Sequence, residues 1–272
     1  MQSNLQSEST YTAPAQAEPA RPHVLEKDTY VPHWPQEEFI VPVLRSRIEE
    51  CLGKYGKPGS AESKVLDVGC GRQPFRGFIE SLGFAYHSCD VNQSPENTVD
   101  YVFAIDAPVP GALTTAAPFD LLFCTEVLEH VADWEAAFSN MAGLMSEGGL
   151  LIITAPHFYQ LHEVPYDFWR PTLHAIEFFA RRHGLSMVHS EAAGDGWDVL
   201  GTLLANGSLV ASSRSILDRI AARLARAVQR KLSSSLVKRS IQKRIRMGGP
   251  LYISNIAVCR KEPRAVSAQN GS

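Results

Sequence analysis

Several features that narrow a protein's class are missing from this chain. Its 272 residues contain five scattered cysteines with no C-x-x-C spacing, which argues against a disulfide framework or a cysteine zinc site. No run of about 18 apolar residues occurs, so we expect no membrane-spanning helix. The net charge of −3 gives the whole chain no preference for a polyanionic partner. A basic-then-apolar signal pattern is also missing, and we therefore expect a cytoplasmic protein.

The strongest local signal is the K-V-L-D-V-G-C-G run at residues 64–71. Apolar residues that lead into an acid and two glycines are typical of a buried strand ending in a glycine turn. Gly69 and Gly71 permit positive φ and let a ligand approach the backbone. Asp67, at the strand tip, is placed to accept hydrogen bonds from a cationic ligand group. Pro74 stands where a dinucleotide-binding G-x-G-x-x-G turn needs its third glycine, which disfavours a pyrophosphate site. An ordinary strand–turn–helix is the alternative interpretation of this run.

A second acid stands where a nucleoside ligand needs one. Asp90 ends the next predicted strand, 19 residues after Gly71. Its two coplanar oxygens suit the two hydroxyls of a ribose, in NAD or in S-adenosylmethionine (SAM) alike. A solvated turn aspartate is the alternative. The third predicted strand, residues 99–105, leads to Asp106. Asp100 is the other candidate for an acid that contacts the ligand from this strand.

The D-x-G-x-G turn, together with V-L-E-H at residues 127–130 after the fourth predicted strand, resembles class I SAM-dependent methyltransferases of the type 11-like group. The resemblance covers about residues 60–190 and the last strand. It implies a Rossmann-like α/β fold with a seven-stranded, mostly parallel sheet, whose antiparallel last strand inserts between the fifth and the sixth. It also implies SAM as cofactor and methyl transfer to an acceptor nucleophile, for which we expect a hydroxyl of a small molecule or glycan. The implied cofactor contacts are Asp67, Gly69, Gly71, Asp90, Val91, Asp106, Cys124 and Thr125.

The loop at residues 155–172 carries most of the remaining chemistry. His157 or His162 is a candidate to take a proton from an acceptor hydroxyl, because imidazole titrates near neutral pH. No recognised ligand spacing is present, so we expect no metal. The P-Y-D-F-W-R-P-T run of this loop is similar to one in methyltransferases of cell-surface glycan and lipopolysaccharide gene clusters. The substrate-binding candidates are Tyr159, Asp167, Trp169 and Arg170, although Asp167 and Arg170 equally suit an internal ion pair that fastens the loop.

Composition divides the chain into a flexible N-terminal arm (1–35), a methyltransferase domain (36–262) and a flexible tail (263–272). Within the domain, residues 198–250 form a basic helical insertion before the last strand. Residues 212–246 hold eleven basic residues and one acid. An apolar stripe of Leu217, Ile220, Leu224 and Val228 lies on a different helix face from the arginines.

The insertion has three interpretations. Its apolar stripe packs on the domain or a second subunit, or the helix lies on anionic lipid at the inner membrane face. Nucleic-acid contact is the weakest, because no aromatics interleave with the basic residues.

Two functions from other classes compete with methyl transfer. A catalytically inactive SAM-binding scaffold, held by its basic helices on a membrane or a partner, predicts cofactor binding without turnover. An NAD-dependent oxidoreductase is disfavoured by Pro74 and by the V-L-E-H segment.

Overall fold

A seven-stranded sheet organises the computed structural model, which describes residues 30–263. Its order is β3-β2-β1-β4-β5-β7-β6. Strand β7 runs antiparallel to β5 and β6, whereas the other neighbours pair in parallel. This confirms the predicted sheet and the antiparallel insertion of its last strand. The strands are β1 (Lys64–Val68), β2 (Ala85–Asp90), β3 (Tyr101–Val102), β4 (Phe119–Thr125), β5 (Met145–Pro156), β6 (Leu185–Ala193) and β7 (Ser254–Lys261).

Helices cover both faces of the sheet because side chains alternate along its strands. Leu66 and Val68 contribute to a core that also holds Phe138 and Met141 of α4. Val65 belongs to a second core, with helices α1 and α2. The helices are α1 (Val41–Tyr55), α2 (Arg76–Ser81), α3 (Gly111–Ala116), α4 (Trp134–Leu144), α5 (Leu173–Arg182), α6 (Gly196–Asn206) and α7 (Ile216–Val237).

Asp133 and Thr172 each precede a segment of helical periodicity, so the sequence predicts that both cap the start of a helix. The carboxylate of Asp133 accepts the backbone N–H of Ala136 at 3.0 Å, and the hydroxyl of Thr172 accepts that of Ala175 at 3.2 Å. Each cap satisfies one of the backbone donors that the first helical turn leaves without an intrahelical partner. Both helices therefore start where the sequence predicts.

Two strand boundaries differ from the prediction. Strand β3 has two residues rather than the seven expected at 99–105, and the carboxylate of Asp100 accepts the N–H of Ser88, a donor from the neighbouring strand. The sequence pattern predicts that the helix before β5 ends at Gly148 and Gly149, and this is wrong because strand β5 already begins at Met145. An irregular register between β4 and β5 accommodates these glycines within the strand.

The basic insertion contains α6 and α7, and α7 turns one face to the domain. Leu236 of that helix is fully buried, and the Gln229 side chain donates to two backbone carbonyls at the end of α6. The spacing of Val237, Ile241 and Ile245 predicts a second helix, but residues 238–244 form a series of turns. No helix in residues 30–263 has the length and apolarity needed to cross a membrane.

The side chains of the apolar stripe are 47 % to 79 % exposed. Among the described residues, the interpretation in which this stripe packs on its own domain therefore has no support, and a second subunit or a lipid surface remains as its partner. The predicted N-terminal arm, up to residue 29, and the predicted tail, from residue 264, lie outside those residues.

Candidate active site

A cleft opens at the carboxyl ends of β1, β2 and β4, where the glycine turn leaves β1. Gly69 has φ +67° and Gly71 has φ +51°, conformations that favour glycine. A Cβ on Gly69 would lie 2.3 Å from a methyl carbon of Val127. Gly69 and Gly71 thus let the turn pass close to the β4 side of the cleft without obstructing it.

Asp90, the last residue of β2, is held rigidly beside this turn. One carboxylate oxygen accepts the Gly71 N–H at 2.9 Å, and the other accepts the Asn92 N–H at 3.0 Å. Asp90 and the adjacent Val91 both line the cleft. A carboxylate oxygen accepts more than one hydrogen bond, so both oxygens keep acceptor capacity for a ligand.

Asp106 lines the far end of the cleft with Phe103 and Ile105. Its competitor Asp100 instead binds the backbone N–H and the hydroxyl of Ser88, each at 2.9 Å. The geometry therefore favours Asp106 as the third acid of the cleft.

A smaller cavity adjoins the cleft, and Gly69, Gly71 and Glu126 line both. Asp67 and Thr125 line the smaller cavity. Asp67 accepts a hydrogen bond from the Tyr86 hydroxyl, but burial outweighs that bond and raises the pKa of Asp67 to about 7. Cys124 is fully buried in the core and lines neither cavity. Seven of the eight predicted cofactor contacts therefore line the cleft or the smaller cavity beside it.

Glu126 is a site residue that the sequence-based reasoning missed. It has φ +54°, and its carboxylate accepts hydrogen bonds from the hydroxyls of Thr154 at 2.9 Å and Ser254 at 3.3 Å. Burial raises its pKa to about 7 despite those bonds. The only signal in the sequence is its place between Thr125 and the V-L-E-H segment. Its orientation depends on β7, more than 100 residues away.

The loop after β5 is fastened by the ion pair that the sequence left as an alternative. Arg170 donates to both carboxylate oxygens of Asp167, at 2.6 and 2.8 Å, and to the carbonyl of Tyr159. Burial alone raises the pKa of Asp167, but Arg170 and the N–H of His162 together bring it below its usual value. Trp169 donates to the Val131 carbonyl at 2.9 Å. These contacts anchor the four predicted substrate-binding residues within the loop or against the domain.

The two candidate general bases lie in different surroundings. The ring of His157 stacks on Tyr252 with centroids 4.2 Å apart, and its Nδ1 lies 2.9 Å from the carbonyl oxygen of Pro171. His162 lies edge-on to His130, with ring centroids 4.7 Å apart, and His130 lines the cleft. Neither candidate base lines the cleft or the smaller cavity, but His162 contacts a residue that lines the cleft.

Glu129, His130 and His162 form a compact group, named here the His–Glu cluster. One ligand atom from each lies within 4.8 Å of the others. Glu129 is fully buried, and neither of its carboxylate oxygens has a hydrogen-bond partner. Burial, reinforced by Glu126, raises the pKa of Glu129, while burial lowers the pKa of His130 to about 4 and also lowers that of His162.

Comparison with known proteins identifies a family. A family model described as a methyltransferase domain matches residues 37–192, more than half of the chain. Two curated relatives are ubiquinone biosynthesis O-methyltransferases. The one from Caulobacter vibrioides is 26% identical over 39% of this chain and 47% of the relative, and the one from Nitrosomonas europaea is 30% identical over 48% and 60%. The chain thus spans about half the length of these relatives.

A solved structure supports the fold alone. A provisionally assigned sarcosine dimethylglycine methyltransferase from Galdieria sulphuraria superposes with a TM-score of 0.50 at 14% identity. The superposition covers 82% of this chain and 88% of that protein. The same Rossmann-like arrangement is therefore present in both chains.

Proposed function

The chain belongs to the methyltransferase domain family, whose cofactor is SAM, and from this premise we propose that it transfers the methyl group of SAM to a hydroxyl oxygen of a small-molecule acceptor. One observation carries the proposal: the rigidly held carboxylate of Asp90 faces the same cleft as the Gly69–Gly71 turn. The oxygen acceptor draws on the curated relatives, which are named O-methyltransferases. A glycan hydroxyl is the variant of this acceptor that the P-Y-D-F-W-R-P-T run favours.

The lining of the two cavities suggests how SAM lies in them. Asp90, with Val91 beside it, binds the ribose hydroxyls, and Asp106 binds the amino group of the adenine. The glycine turn leaves room for the cofactor, and Asp67 binds the ammonium group of the methionine part beside Thr125. Placing a carboxylate near SAM's positive charges is favourable in a partly buried cleft.

The chemistry requires little from the protein beyond positioning and proton removal. SAM carries an activated methyl group on a sulfonium, so the acceptor oxygen attacks the methyl carbon while the carbon–sulfur bond breaks. The bonding electron pair stays on sulfur, giving S-adenosylhomocysteine, and the hydroxyl proton passes to a base. Glu126 and His162 are our candidates for that base, with His157 less favoured by its stacking on Tyr252.

Calorimetric titration with S-adenosylhomocysteine tests the cofactor site. We expect micromolar binding by the native protein and at least about tenfold weaker binding by Asp90→Ala, because that change removes charge-assisted hydrogen bonds. The matched control is Glu96→Gln, which removes an exposed carboxylate from the same β2–β3 connection and should bind normally. If folded native protein does not bind, or if Asp90→Ala binds equally well, the proposed site is wrong.

The two competing functions predict different behaviour in the same system. An inactive scaffold binds S-adenosylhomocysteine but transfers no methyl group from labelled SAM to any hydroxyl acceptor. An NAD-dependent oxidoreductase binds NAD in competition with S-adenosylhomocysteine. Methyl transfer to an acceptor, with no effect of NAD on binding, excludes both.

We also propose that α7 lies on an anionic lipid surface, which places the protein at the cytoplasmic face of the membrane. The observation that favours this second role is the exposed apolar stripe on a helix that also carries Arg219, Arg223, Arg226 and Arg230. An exposed apolar face beside basic residues suits the boundary between acyl chains and anionic headgroups.

A further inference from the structure

A groove of about 730 Å³ lies between the end of α6, with the loop that follows it, and the second half of α7. Residues within 204–210 form one side and residues within 226–238 the other, so it is named here the α6–α7 groove. Among the described residues, none lines both this groove and either cavity of the candidate active site. Small-molecule sites have volumes of about 300–1,000 Å³. The groove is therefore large enough for a ligand of its own.

Hydrogen bonds hold the two sides of the groove together. The Gln229 side chain donates to the carbonyls of Leu204 and Gly207, each at 2.6 Å. The Arg226 guanidinium donates to the Leu209 carbonyl at 3.0 Å. Each of these bonds joins α7 to the backbone of the opposite side. A ligand thus meets walls that already have their shape, which reduces the entropy that binding costs.

The charged side chains that line the groove are all positive. They are Arg226, Arg230 and Lys238, and no acid of residues 30–263 lines it. Neither Arg230 nor Lys238 forms an ion pair within those residues, whereas the next residue, Arg239, pairs with Asp198 at 2.5 Å. Arg226 and Arg230 are one helical turn apart, a spacing at which like charges repel each other. An anion in the groove offsets this repulsion.

The spacing of these cations suits a phosphate group. Arg230 and Lys238 are two helical turns apart, about 12 Å along the axis, and Ser234 lies midway on the same face. Both long side chains have the length to meet an anion above Ser234. The hydroxyls of Ser208, Ser233 and Ser234 also line the groove and supply neutral donors. A guanidinium adds two parallel N–H groups, which match two oxygens of a phosphate.

Apolar side chains line another part of the groove. Leu209 and Val237 are each 41 % exposed, and Val210 is 76 % exposed. Free phosphate leaves this apolar surface in water, whereas a hydrocarbon chain covers it. A nucleic acid fits less well, because no aromatic of the described residues lines the groove for its bases to stack on. The best match is a ligand that joins a phosphate to a hydrocarbon chain.

From these observations we propose that the α6–α7 groove binds one molecule of an anionic phospholipid, with the phosphate between Arg230 and Lys238 and the start of an acyl chain along Leu209 and Val237. This goes beyond the proposed contact of α7 with a lipid surface, because no residue of the apolar stripe lines the groove. The stripe attracts a surface, whereas the groove selects a single lipid by its phosphate. The site requires neither methyl transfer nor a bilayer.

A monomeric lipid tests the groove apart from any membrane surface. The full chain is titrated calorimetrically with dihexanoylphosphatidylglycerol below its micelle-forming concentration, and separately with dihexanoylphosphatidylcholine and with inorganic phosphate. We expect one phosphatidylglycerol per chain. The other two ligands should bind at least about tenfold more weakly, because the first lacks a net negative charge and the second lacks the acyl chains.

Two groove variants are compared with two matched controls from the same helix. Arg230→Gln should weaken phosphatidylglycerol binding at least about tenfold, and Val237→Ser about threefold, because they remove a charged donor and an apolar contact. The controls are Arg223→Gln and Val228→Ser, which alter exposed residues outside the groove and should bind like native protein. Circular dichroism verifies that each variant is folded.

The outcomes separate this site from both proposed functions. Weaker binding by the groove variants alone supports the site. It is overturned if folded native protein does not bind phosphatidylglycerol, or if the controls lose as much affinity as the groove variants. Equally tight binding of phosphatidylcholine or of inorganic phosphate overturns it too, since the groove then does not recognise an anionic lipid. Because a monomeric lipid offers no surface and the groove lies apart from the cleft, none of these results depends on vesicle binding or on the cofactor.

Discussion

At the scale of single residues, burial favours the protonated form of the Asp67 carboxyl, whereas the proposed binding of an ammonium group uses its ionised form. Burial raises its pKa from 3.8 to about 7, so the protonated form is favoured in the folded protein. The folded state therefore holds a proton that the unfolded chain releases near pH 4. This contribution to stability is fully present below pH 4 and is lost as pH rises through 7.

Asp67→Asn should flatten this pH dependence, because the amide does not ionise. Between pH 4 and 7 we expect the unfolding free energy of cofactor-free native protein to fall relative to the variant by at most about 1.4 kcal/mol per pH unit. Urea denaturation at several pH values measures the difference. Glu126→Gln serves for comparison, because burial also raises the pKa of Glu126 to about 7 and its amide likewise does not ionise. Parallel curves for native protein and Asp67→Asn would contradict the assignment of this proton to Asp67.

At the scale of secondary-structure elements, the turn after β1 depends on a glycine that no other residue can replace cheaply. A Cβ on Gly69 meets the Val127 side chain at 2.3 Å, and φ there is +67°. We expect Gly69→Ala to destabilise the protein by about 1–3 kcal/mol and to weaken S-adenosylhomocysteine binding, because Val127 must move at the cleft wall. Thermal denaturation and calorimetry measure the two effects.

Gly77 offers the matched control for this substitution. It lies in α2, and a Cβ built there has no atom within 4 Å. Gly77→Ala should therefore stabilise the protein by up to about 1 kcal/mol, because alanine restricts the unfolded chain and favours the helix. Equal effects of the two substitutions would show that the close approach of Val127 to Gly69 has no energetic weight.

Elements were predictable where a local pattern encodes them. The apolar run before Gly69 predicts β1, and Asp133 and Thr172 predict two helix starts through their own hydrogen bonds. Strand β3 is shorter than predicted, and the side chain of Asp100 takes up the N–H of Ser88. That contact joins two strands, so the sequence pattern of either strand alone does not reveal it.

The residues of the site also differ in whether a local pattern or a long-range contact positions them. The acids and glycines of the cleft come from strand ends, whose common edge follows from the parallel sheet. Glu126 is oriented by Thr154 and Ser254, and the His–Glu cluster joins two loops. These contacts form only when distant segments pack together. Sequence patterns therefore indicate which side chains meet at the strand ends, but not which ones meet between distant loops.

At the scale of the whole molecule, charge is distributed unevenly around a nearly neutral total. The chain has a net charge of −3, although residues 212–246 contain eleven basic residues and one acid. Helix α7 fixes where this charge lies, because Leu236 and Gln229 hold one of its faces to the domain. The apolar stripe and the adjacent arginines are left on the outside. A positively charged surface with an exposed apolar stripe thus belongs to an otherwise acidic protein.

This arrangement predicts binding to anionic vesicles. We expect the protein to sediment with vesicles of phosphatidylcholine and phosphatidylglycerol but not with pure phosphatidylcholine, and added salt should release it. Leu217→Ser and Leu224→Ser should each weaken binding roughly tenfold, because each removes an apolar side chain from the lipid boundary. The matched control is Leu203→Ser, which alters an exposed leucine of α6 outside the stripe and should bind like native protein.

Two results would contradict the membrane role. Equal sedimentation with neutral and anionic vesicles would remove the part assigned to the arginines. Failure to bind either kind, together with a dimer that Leu217→Ser and Leu224→Ser dissociate in analytical ultracentrifugation, would assign the stripe to a second copy of the chain.

A lipid surface and a second copy of the chain differ in what they require of α7. A lipid surface uses its basic and apolar faces together, whereas two like-charged helices would have to bury their apolar stripes against the repulsion of their own arginines. That repulsion is why we favour lipid over a second copy.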